Sequence, residues 1–227
     1  MTGWRTIGVI GGMGPAATAD FVQRIAVAAG AARDSDHPRV LVDSNPHVPD
    51  RNAARAGNGP SPGPVLAEMA RGLTGLGAQI LAMPCNAAHG WAGDIVAASG
   101  ATFVDMIDAA VTEAVATGAR TIGIIAIGAT LDANLYQHRL DAAGMQVIAS
   151  DRGIVQPLVT AIKAGDTSSA IRTGMAAEAS RLVSAGAGAI IAACTEVPLV
   201  LSQADVAVPL VDATSALVRA VMQAAAL

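Results

Sequence analysis

Two cysteines are the residues whose type and position suggest chemistry most directly. Cys85 and Cys194 are the only cysteines among 227 residues. Cys194 directly follows a short apolar stretch, 189–193, and Cys85 follows a similar stretch, 79–83, after Pro84. A thiolate can remove a proton and a neutral thiol can deliver one, so two thiols together could act as base and acid. The alternative is that both are core residues, because cysteine is also a small apolar side chain.

An internal repeat relates the two cysteines to each other. Residues 77–86 (GAQILAMPCN) align without a gap to residues 186–195 (GAGAIIAACT), and residues 6–10 (TIGVI) resemble residues 121–125 (TIGII). The repeat places each thiol just past the carboxyl end of a predicted parallel strand, where open α/β sheets bind ligands. We therefore expect the two halves to present the thiols on opposite walls of one cleft.

Short apolar runs alternate with alanine-rich helical stretches along the whole chain, which predicts an α/β fold with parallel sheets and helices on both faces. A long segment rich in Pro, Gly and Asn, residues 45–64, is predicted to be loop. The predicted strands are 5–11, 39–45, 79–83, 102–106, 121–127, 146–149, 189–193 and 208–211, and the predicted helices are 15–29, 64–76, 108–117, 131–143, 153–164, 168–185 and 213–226.

A glycine-rich turn follows the first predicted strand. Gly12, Gly14 and Ala17 match the G-x-G-x-x-A dinucleotide fingerprint, so a nicotinamide- or nucleotide-binding protein is one alternative. Asp43, the acidic residue at the end of the second strand, lies farther along the chain than the spacing of about 20 residues that this fingerprint usually has. The other interpretation is a tight turn that packs closely or presents backbone N–H groups to an anion.

The residues that follow each cysteine offer further chemistry. His89 lies four residues after Cys85 and could be its base, but that interpretation leaves Cys194 unexplained, and His89 could equally only hydrogen-bond. Glu196 could be a carboxylate at a helix N-terminus. Two cysteines and one nearby histidine do not complete a zinc site, so no metal is expected. Helix dipoles after each cysteine are expected to lower both thiol pKa values.

Two basic residues are candidates for binding an anion. Arg51 lies in the predicted loop, and its guanidinium could hold a carboxylate through two hydrogen bonds, although most loop arginines are solvated. Lys163 is the only lysine of the chain. It could be a solvated cation at the end of a helix or a pyridoxal phosphate anchor. The second interpretation is less favoured, because no apolar strand-end pocket is expected around it.

Composition and charge exclude several classes of protein. The net charge is −4 and no long Lys/Arg run occurs, so no nucleic-acid partner is expected. No run of about 18 or more apolar residues is present, which predicts no membrane span. The first residues have no signal-peptide pattern, so a cytoplasmic location is expected. Aromatic residues make up only 2% of the chain, which requires a core of small aliphatic side chains.

Four motifs in order resemble the aspartate/glutamate racemases, and aspartate racemases most closely. These motifs are residues 10–15 (IGGMGP) with Thr18, 45–51 (NPHVPDR), 83–89 (MPCNAAH) and 194–196 (CTE). The resemblance implies two pseudo-symmetric, flavodoxin-like three-layer domains, 1–106 with 207–227 and 107–206, with the active site in the cleft between them. It also implies no pyridoxal phosphate, no metal and commonly a homodimer.

The resemblance assigns roles to individual residues. The paired catalytic cysteines would be Cys85 and Cys194, and a small anionic amino acid would be the substrate. Its distal carboxylate would meet Arg51 and Lys163. The other substrate-binding residues implied are Met13, Asn45, Asn86, Ala87 and Thr195, with Gly12, Gly14, His89 and Glu196 supporting them.

The sequence departs from the family pattern at two places. Ala87 stands where the family usually has Thr, and residues 127–130 read IGAT instead of TTGT. Both changes remove hydroxyl groups expected near the substrate carboxylates. They leave open another amino acid or a hydantoin-like substrate. A non-catalytic protein that binds acidic ligands is a further alternative, which the presence of both cysteines weakens.

Overall fold

The computed structural model describes residues 3–227. Two compact units divide this part of the chain. One unit extends to Met106 and also takes in Thr214–Leu227, and the other comprises Ile107–Ala213. Among residues 3–227, no helix is both long and apolar enough to cross a membrane.

The first unit is built on a four-stranded parallel sheet of order β2-β1-β3-β4. The central strand β1 is buried along its whole length, because its sequence IGVIG offers only apolar side chains and glycine. The elements are β1 (Ile7–Gly11), α1 (Pro15–Ala29), β2 (Val40–Ser44), α2 (Arg51–Arg55), α3 (Gly63–Gly75), β3 (Ile80–Ala82), α4 (Ala92–Ala98) and β4 (Thr102–Val104), with 3₁₀ turns at Asp34–Asp36 and Ala87–Trp91.

The second unit repeats this plan with the order β6-β5-β7-β8, again fully parallel. Its β7 is the equivalent of β3, so the strand before Cys194 corresponds to the strand before Cys85 and the predicted repeat is confirmed. The elements are α5 (Met106–Ala116), β5 (Thr121–Ile125), α6 (Gly128–Asp132), α7 (Leu135–Ala142), β6 (Gln146–Ala149), α8 (Arg152–Lys163), α9 (Ser169–Ser184), β7 (Ala189–Ala192) and β8 (Leu210–Asp212), with 3₁₀ turns at Val197–Leu199 and Gln203–Asp205.

The final helix, α10 (Ala213–Ala225), lies almost wholly in the first unit. The sequence assigned residues 207–213 to the first domain as well. In the structure β8 pairs in parallel with β7, so the division falls after Ala213 instead. Strand β8 therefore belongs to the second unit with the rest of its sheet, and only helix α10 belongs to the first unit.

Three local features differ from the sequence prediction. The predicted loop 45–64 contains α2, because the Asp50 carboxylate caps this helix by accepting a hydrogen bond from the Ala53 N–H at 2.7 Å. The single helix predicted over 131–143 is two helices, broken at Asn134, whose φ of 51° is left-handed. The helix α4 was not predicted.

Candidate active site

Cys85 lies three residues past the end of β3 and is 5% exposed. Its backbone N–H donates to the Met83 carbonyl at 2.8 Å, which turns the chain sharply after the strand. Its backbone carbonyl is 2.9 Å from Nδ1 of His89. Both backbone polar groups of Cys85 are therefore satisfied, and the position of the thiol is fixed by the loop that carries it.

The His89 ring is buried and both of its nitrogens are engaged by backbone groups. Nε2 accepts a hydrogen bond from the Met106 N–H at 3.0 Å, so Nε2 carries the lone pair and Nδ1 carries the hydrogen given to Cys85. An Asp105 carboxylate oxygen lies 3.9 Å from Nε2. This arrangement favours the hydrogen-bonding role of His89 over its role as a base for Cys85.

Cys194 lies just past the end of β7 and is also 5% exposed. Its thiol donates to the Glu196 carboxylate at 3.0 Å, and the Thr195 hydroxyl donates to the same oxygen, Oε2, at 3.1 Å. Lys163, the last residue of α8, places Nζ 4.0 Å from the other oxygen, Oε1. Four of the predicted site residues therefore form one contiguous group in the second unit.

The surroundings of Cys194 raise the pKa of its thiol well above the ordinary range, first through burial and then through the negative charge of Glu196. The Lys163 ammonium acts in the opposite direction. The expectation that a helix dipole lowers this pKa is wrong for Cys194. A carboxylate contacts the thiol, and the segment that follows is a three-residue 3₁₀ turn, Val197–Leu199, with little dipole.

The glycine-rich turn packs tightly against the end of β2. Gly12 has a φ of 90°, and a Cβ atom there would lie 2.4 Å from the carbonyl carbon of Asn45. The Gly12 N–H donates to the Thr18 hydroxyl at 2.8 Å, and that hydroxyl donates to the Gly14 carbonyl at 3.0 Å. Internal hydrogen bonds and close packing thus account for the glycine at position 12, which favours the tight turn over a dinucleotide site.

Arg51 is the first residue of α2 and is half-buried. Its Nη1 donates to the backbone carbonyls of Val48 and Pro49 at 3.2 and 3.1 Å. These bonds orient the guanidinium and leave its Nε–H and Nη2–H edge as the fork that suits a carboxylate. Helix α2 contacts the 3₁₀ turn Ala87–Trp91, the segment that directly follows the Cys85 loop.

The remaining predicted residues, Met13, Asn86 and Ala87, are all buried in the first unit. One residue that the sequence analysis did not assign is Thr130, in α6. Its hydroxyl is buried and has no hydrogen-bond partner among residues 3–227. A buried hydroxyl without a partner is a candidate ligand contact, because leaving it unpaired costs free energy. The sequence signal was present, because Thr130 is the one residue of 127–130 (IGAT) that agrees with the family's TTGT.

Across positions 3–227, no group of three or more His, Cys, Asp or Glu side chains is arranged to hold a metal ion.

Comparison with known proteins identifies the family. The family model "Asp/Glu/Hydantoin racemase" matches residues 10–221. The broad specificity amino-acid racemase RacX of Bacillus subtilis (strain 168) is 25% identical over 224 residues, which are 94% of this chain and 95% of RacX.

Solved structures agree with this match. The aspartate racemase of Picrophilus torridus superposes with a TM-score of 0.89 at 27% identity, over 97% of this chain and 94% of that one. The fold is also shared with a glutamate racemase of Francisella tularensis solved with D-glutamate, with a TM-score of 0.72 at 21% identity over 95% of this chain and 78% of that one. The chain belongs to the Asp/Glu/hydantoin racemase family of isomerases.

Proposed function

We propose that this protein racemises an acidic amino acid, aspartate or glutamate, without a cofactor, using Cys85 and Cys194 as a pair of acid/base groups. The observation that carries the proposal is the repeat. A buried thiol follows β3 in one unit and the equivalent β7 in the other. A racemase needs a base for one face of the α-carbon and an acid for the other, and two equivalent thiols supply both.

In the proposed reaction the α-carbon loses one proton on one face and gains another on the opposite face. The Cys85 thiolate takes the α-hydrogen, and the electron pair of the broken C–H bond is delocalised into the α-carboxylate as an enediolate. The Cys194 thiol then gives its proton to the opposite face. The product leaves Cys85 protonated and Cys194 as a thiolate, and the reverse reaction uses these same states.

Recognition of the substrate is proposed to combine charge with short polar contacts. The free edge of the Arg51 guanidinium suits the distal carboxylate, and Lys163 supplies a second positive charge. The α-carboxylate and α-amino groups are proposed to contact Met13, Asn45, Asn86, Ala87 and Thr195. Gly12 and Gly14 shape the turn next to Asn45, while His89 and Glu196 act on the cysteine loops.

A wider range of substrates is the second candidate, and a specific residue favours it. Ala87 offers only a methyl group where the family pattern has a hydroxyl, so one hydrogen bond to a substrate carboxylate is absent. The relative RacX is described as having broad specificity. Other amino acids and hydantoin-like compounds therefore belong in the substrate panel.

Proton NMR in D2O with L- and D-amino acids tests the function. We expect the α-proton signal of aspartate or glutamate to disappear while optical rotation decays to zero, with no added pyridoxal phosphate and with EDTA present. Activity that is lost on dialysis and returns only with pyridoxal phosphate or a divalent metal would contradict the proposal. A short bifunctional thiol reagent that links Cys85 to Cys194, with protection by substrate, would support a shared site.

The resemblance also leads us to propose a cytoplasmic homodimer. Light scattering of the purified chain tests the dimer, and fractionation of expressing cells tests the location.

A further inference from the structure

We propose that the two thiols are unequal before substrate binds: Glu196 holds the proton on Cys194, so the resting enzyme has Cys194 as its acid and Cys85 as its base. The inference rests on the proposed two-thiol function and adds to it an order of events. It also assigns Glu196 a part in the reaction as a positioning residue, because this carboxylate acts through the Cys194 thiol.

The asymmetry is visible in the repeat itself. The gapless alignment that pairs Cys85 with Cys194 also pairs Asn86 with Thr195 and Ala87 with Glu196. A methyl group therefore stands on one side where a carboxylate stands on the other. The strands before the two cysteines are equivalent, so the difference between their environments comes from these following residues.

The contacts at Cys194 favour its protonated form. An ionised carboxylate only accepts hydrogen bonds, so the 3.0 Å contact between Sγ and Oε2 requires a hydrogen on the sulfur. Loss of that hydrogen would bring two negative charges together in a place where both side chains are about 5% exposed. The charged group facing Glu196 is Lys163, which is 4.0 Å from the other oxygen and 37% exposed, so it compensates only in part.

Among residues 3–227, Cys85 has no comparable hydrogen bond from its thiol to a carboxylate. Within residues 3–227, no side-chain hydrogen bond to its Sγ occurs, and its neighbours Ala87 and Ala88 are buried apolar residues. The His89 ring, which lies nearest in sequence among the titratable groups, gives its hydrogen to the Cys85 carbonyl and not to the sulfur. Asp105 lies against the far nitrogen of that ring, at 3.9 Å.

The consequence is a preferred first substrate. The resting enzyme reacts at once with the enantiomer that directs its α-hydrogen toward Cys85. The other enantiomer needs the form with Cys194 as thiolate and Cys85 as thiol, which requires one proton to leave Cys194 and one to reach Cys85. The equilibrium constant of a racemisation is 1, so kcat/KM must be equal in the two directions, and the asymmetry is expected in the first turnover.

The first test measures protonation and does not depend on activity. Alkylation by iodoacetamide is followed at each cysteine by peptide mass spectrometry as a function of pH. We expect Glu196→Gln to increase the alkylation rate of Cys194 about tenfold at a fixed pH near 8, which is a shift of about one pKa unit, while Cys85 in the same molecule stays unchanged. Glu68→Gln, which removes an exposed carboxylate, is the matched control and should alter neither profile.

A second variant is expected to shift the pH profile of Cys194 alkylation in the opposite direction. Lys163→Met removes the cation that opposes Glu196, so the alkylation profile of Cys194 should move to higher pH. This partly exposed side chain can be replaced without disturbing the core. If neither variant moves the Cys194 profile, or if both move it the same way, the proposal is wrong. These results hold whether or not any amino acid is racemised, so they separate this inference from the proposed function.

A single-turnover experiment tests the kinetic consequence. Enzyme in excess is mixed with α-deuterated L- or D-substrate, and loss of deuterium is followed in the first turnover. We expect one enantiomer to lose deuterium at least tenfold faster than the other, and Glu196→Gln to reduce that ratio. Equal first-turnover rates for the two enantiomers in the unsubstituted enzyme would overturn the proposal.

Discussion

His89 holds Cys85 in place through the backbone: its Nδ1–H donates to the Cys85 carbonyl at 2.9 Å, and its Nε2 accepts the N–H of Met106 at 3.0 Å. Met106 is the residue at which the chain leaves the first unit. One imidazole therefore ties the loop that carries a thiol to the start of α5.

Replacing His89 is expected to affect stability and Cys85 together. His89→Phe keeps the packing of a ring but leaves two buried backbone groups without partners, at a cost of about 1–3 kcal/mol for each. Chemical denaturation should show that loss, and alkylation of Cys85 should become less uniform and faster. His89→Gln, which can still donate and accept, should recover part of the stability. If His89→Phe leaves both readouts unchanged, the imidazole does not position the loop.

Arg51→Ala is expected to weaken turnover of acidic substrates far more than it affects folding. Loss of a charge-assisted hydrogen bond to the distal carboxylate should cost about 1.5–3 kcal/mol, which corresponds to a fall in kcat/KM of about 10- to 150-fold. The control is Arg55→Ala at the other end of α2, which removes an equal charge from the same short helix. Equal effects of the two variants would show that only the general positive charge matters.

Ala87→Thr is expected to raise turnover of aspartate relative to larger or neutral amino acids. The added hydroxyl restores a hydrogen-bond donor near the proposed α-carboxylate contacts, and the change from Ala to Thr is small. The measurement is the ratio of kcat/KM values across a panel of amino acids. If the unsubstituted enzyme already prefers aspartate and the variant changes nothing, the departure at this position has no effect on specificity.

Activity should persist to a higher pH than it would if the acid were a thiol with an ordinary pKa. Burial and Glu196 raise the Cys194 pKa, so its neutral acid form persists as the pH rises past the ordinary thiol pKa of about 8.5. The alkaline limb of kcat/KM, where this acid is lost, is therefore expected above that value. Glu196→Gln should move the limb to lower pH. A limb at or below the ordinary value in the unsubstituted enzyme would contradict this explanation.

The fold could be predicted from the sequence because the repeat and the apolar runs are local signals. Eight predicted strands correspond to β1–β8, and each thiol lies just past its strand as expected. The sequence missed the helix α2 because Pro and Gly surround it, and only the Asp50 cap marks its beginning. The break at Asn134 was missed because a left-handed residue inside an otherwise helical pattern leaves little trace in composition.

The residues of the candidate site could be predicted from the sequence, but the electrostatics of the site could not. Spacing identified Cys194 and Glu196 without showing how deeply the thiol is buried or that it donates to the carboxylate. Burial first, and this contact second, reversed the expected direction of the pKa shift. The role of His89 likewise depended on where its two nitrogens point. Directions of side chains arise from tertiary packing, which a linear pattern does not contain.

The requirement for both thiols is tested most directly by α-hydrogen exchange in D2O with Cys85→Ala and Cys194→Ala. Loss of one acid/base group should reduce racemisation by about 10²- to 10⁴-fold in each variant. Each variant keeps one thiol, so each should still exchange the α-hydrogen of one enantiomer slowly, and the two variants should favour opposite enantiomers. Racemisation at nearly the unsubstituted rate in either folded variant would contradict the two-thiol mechanism.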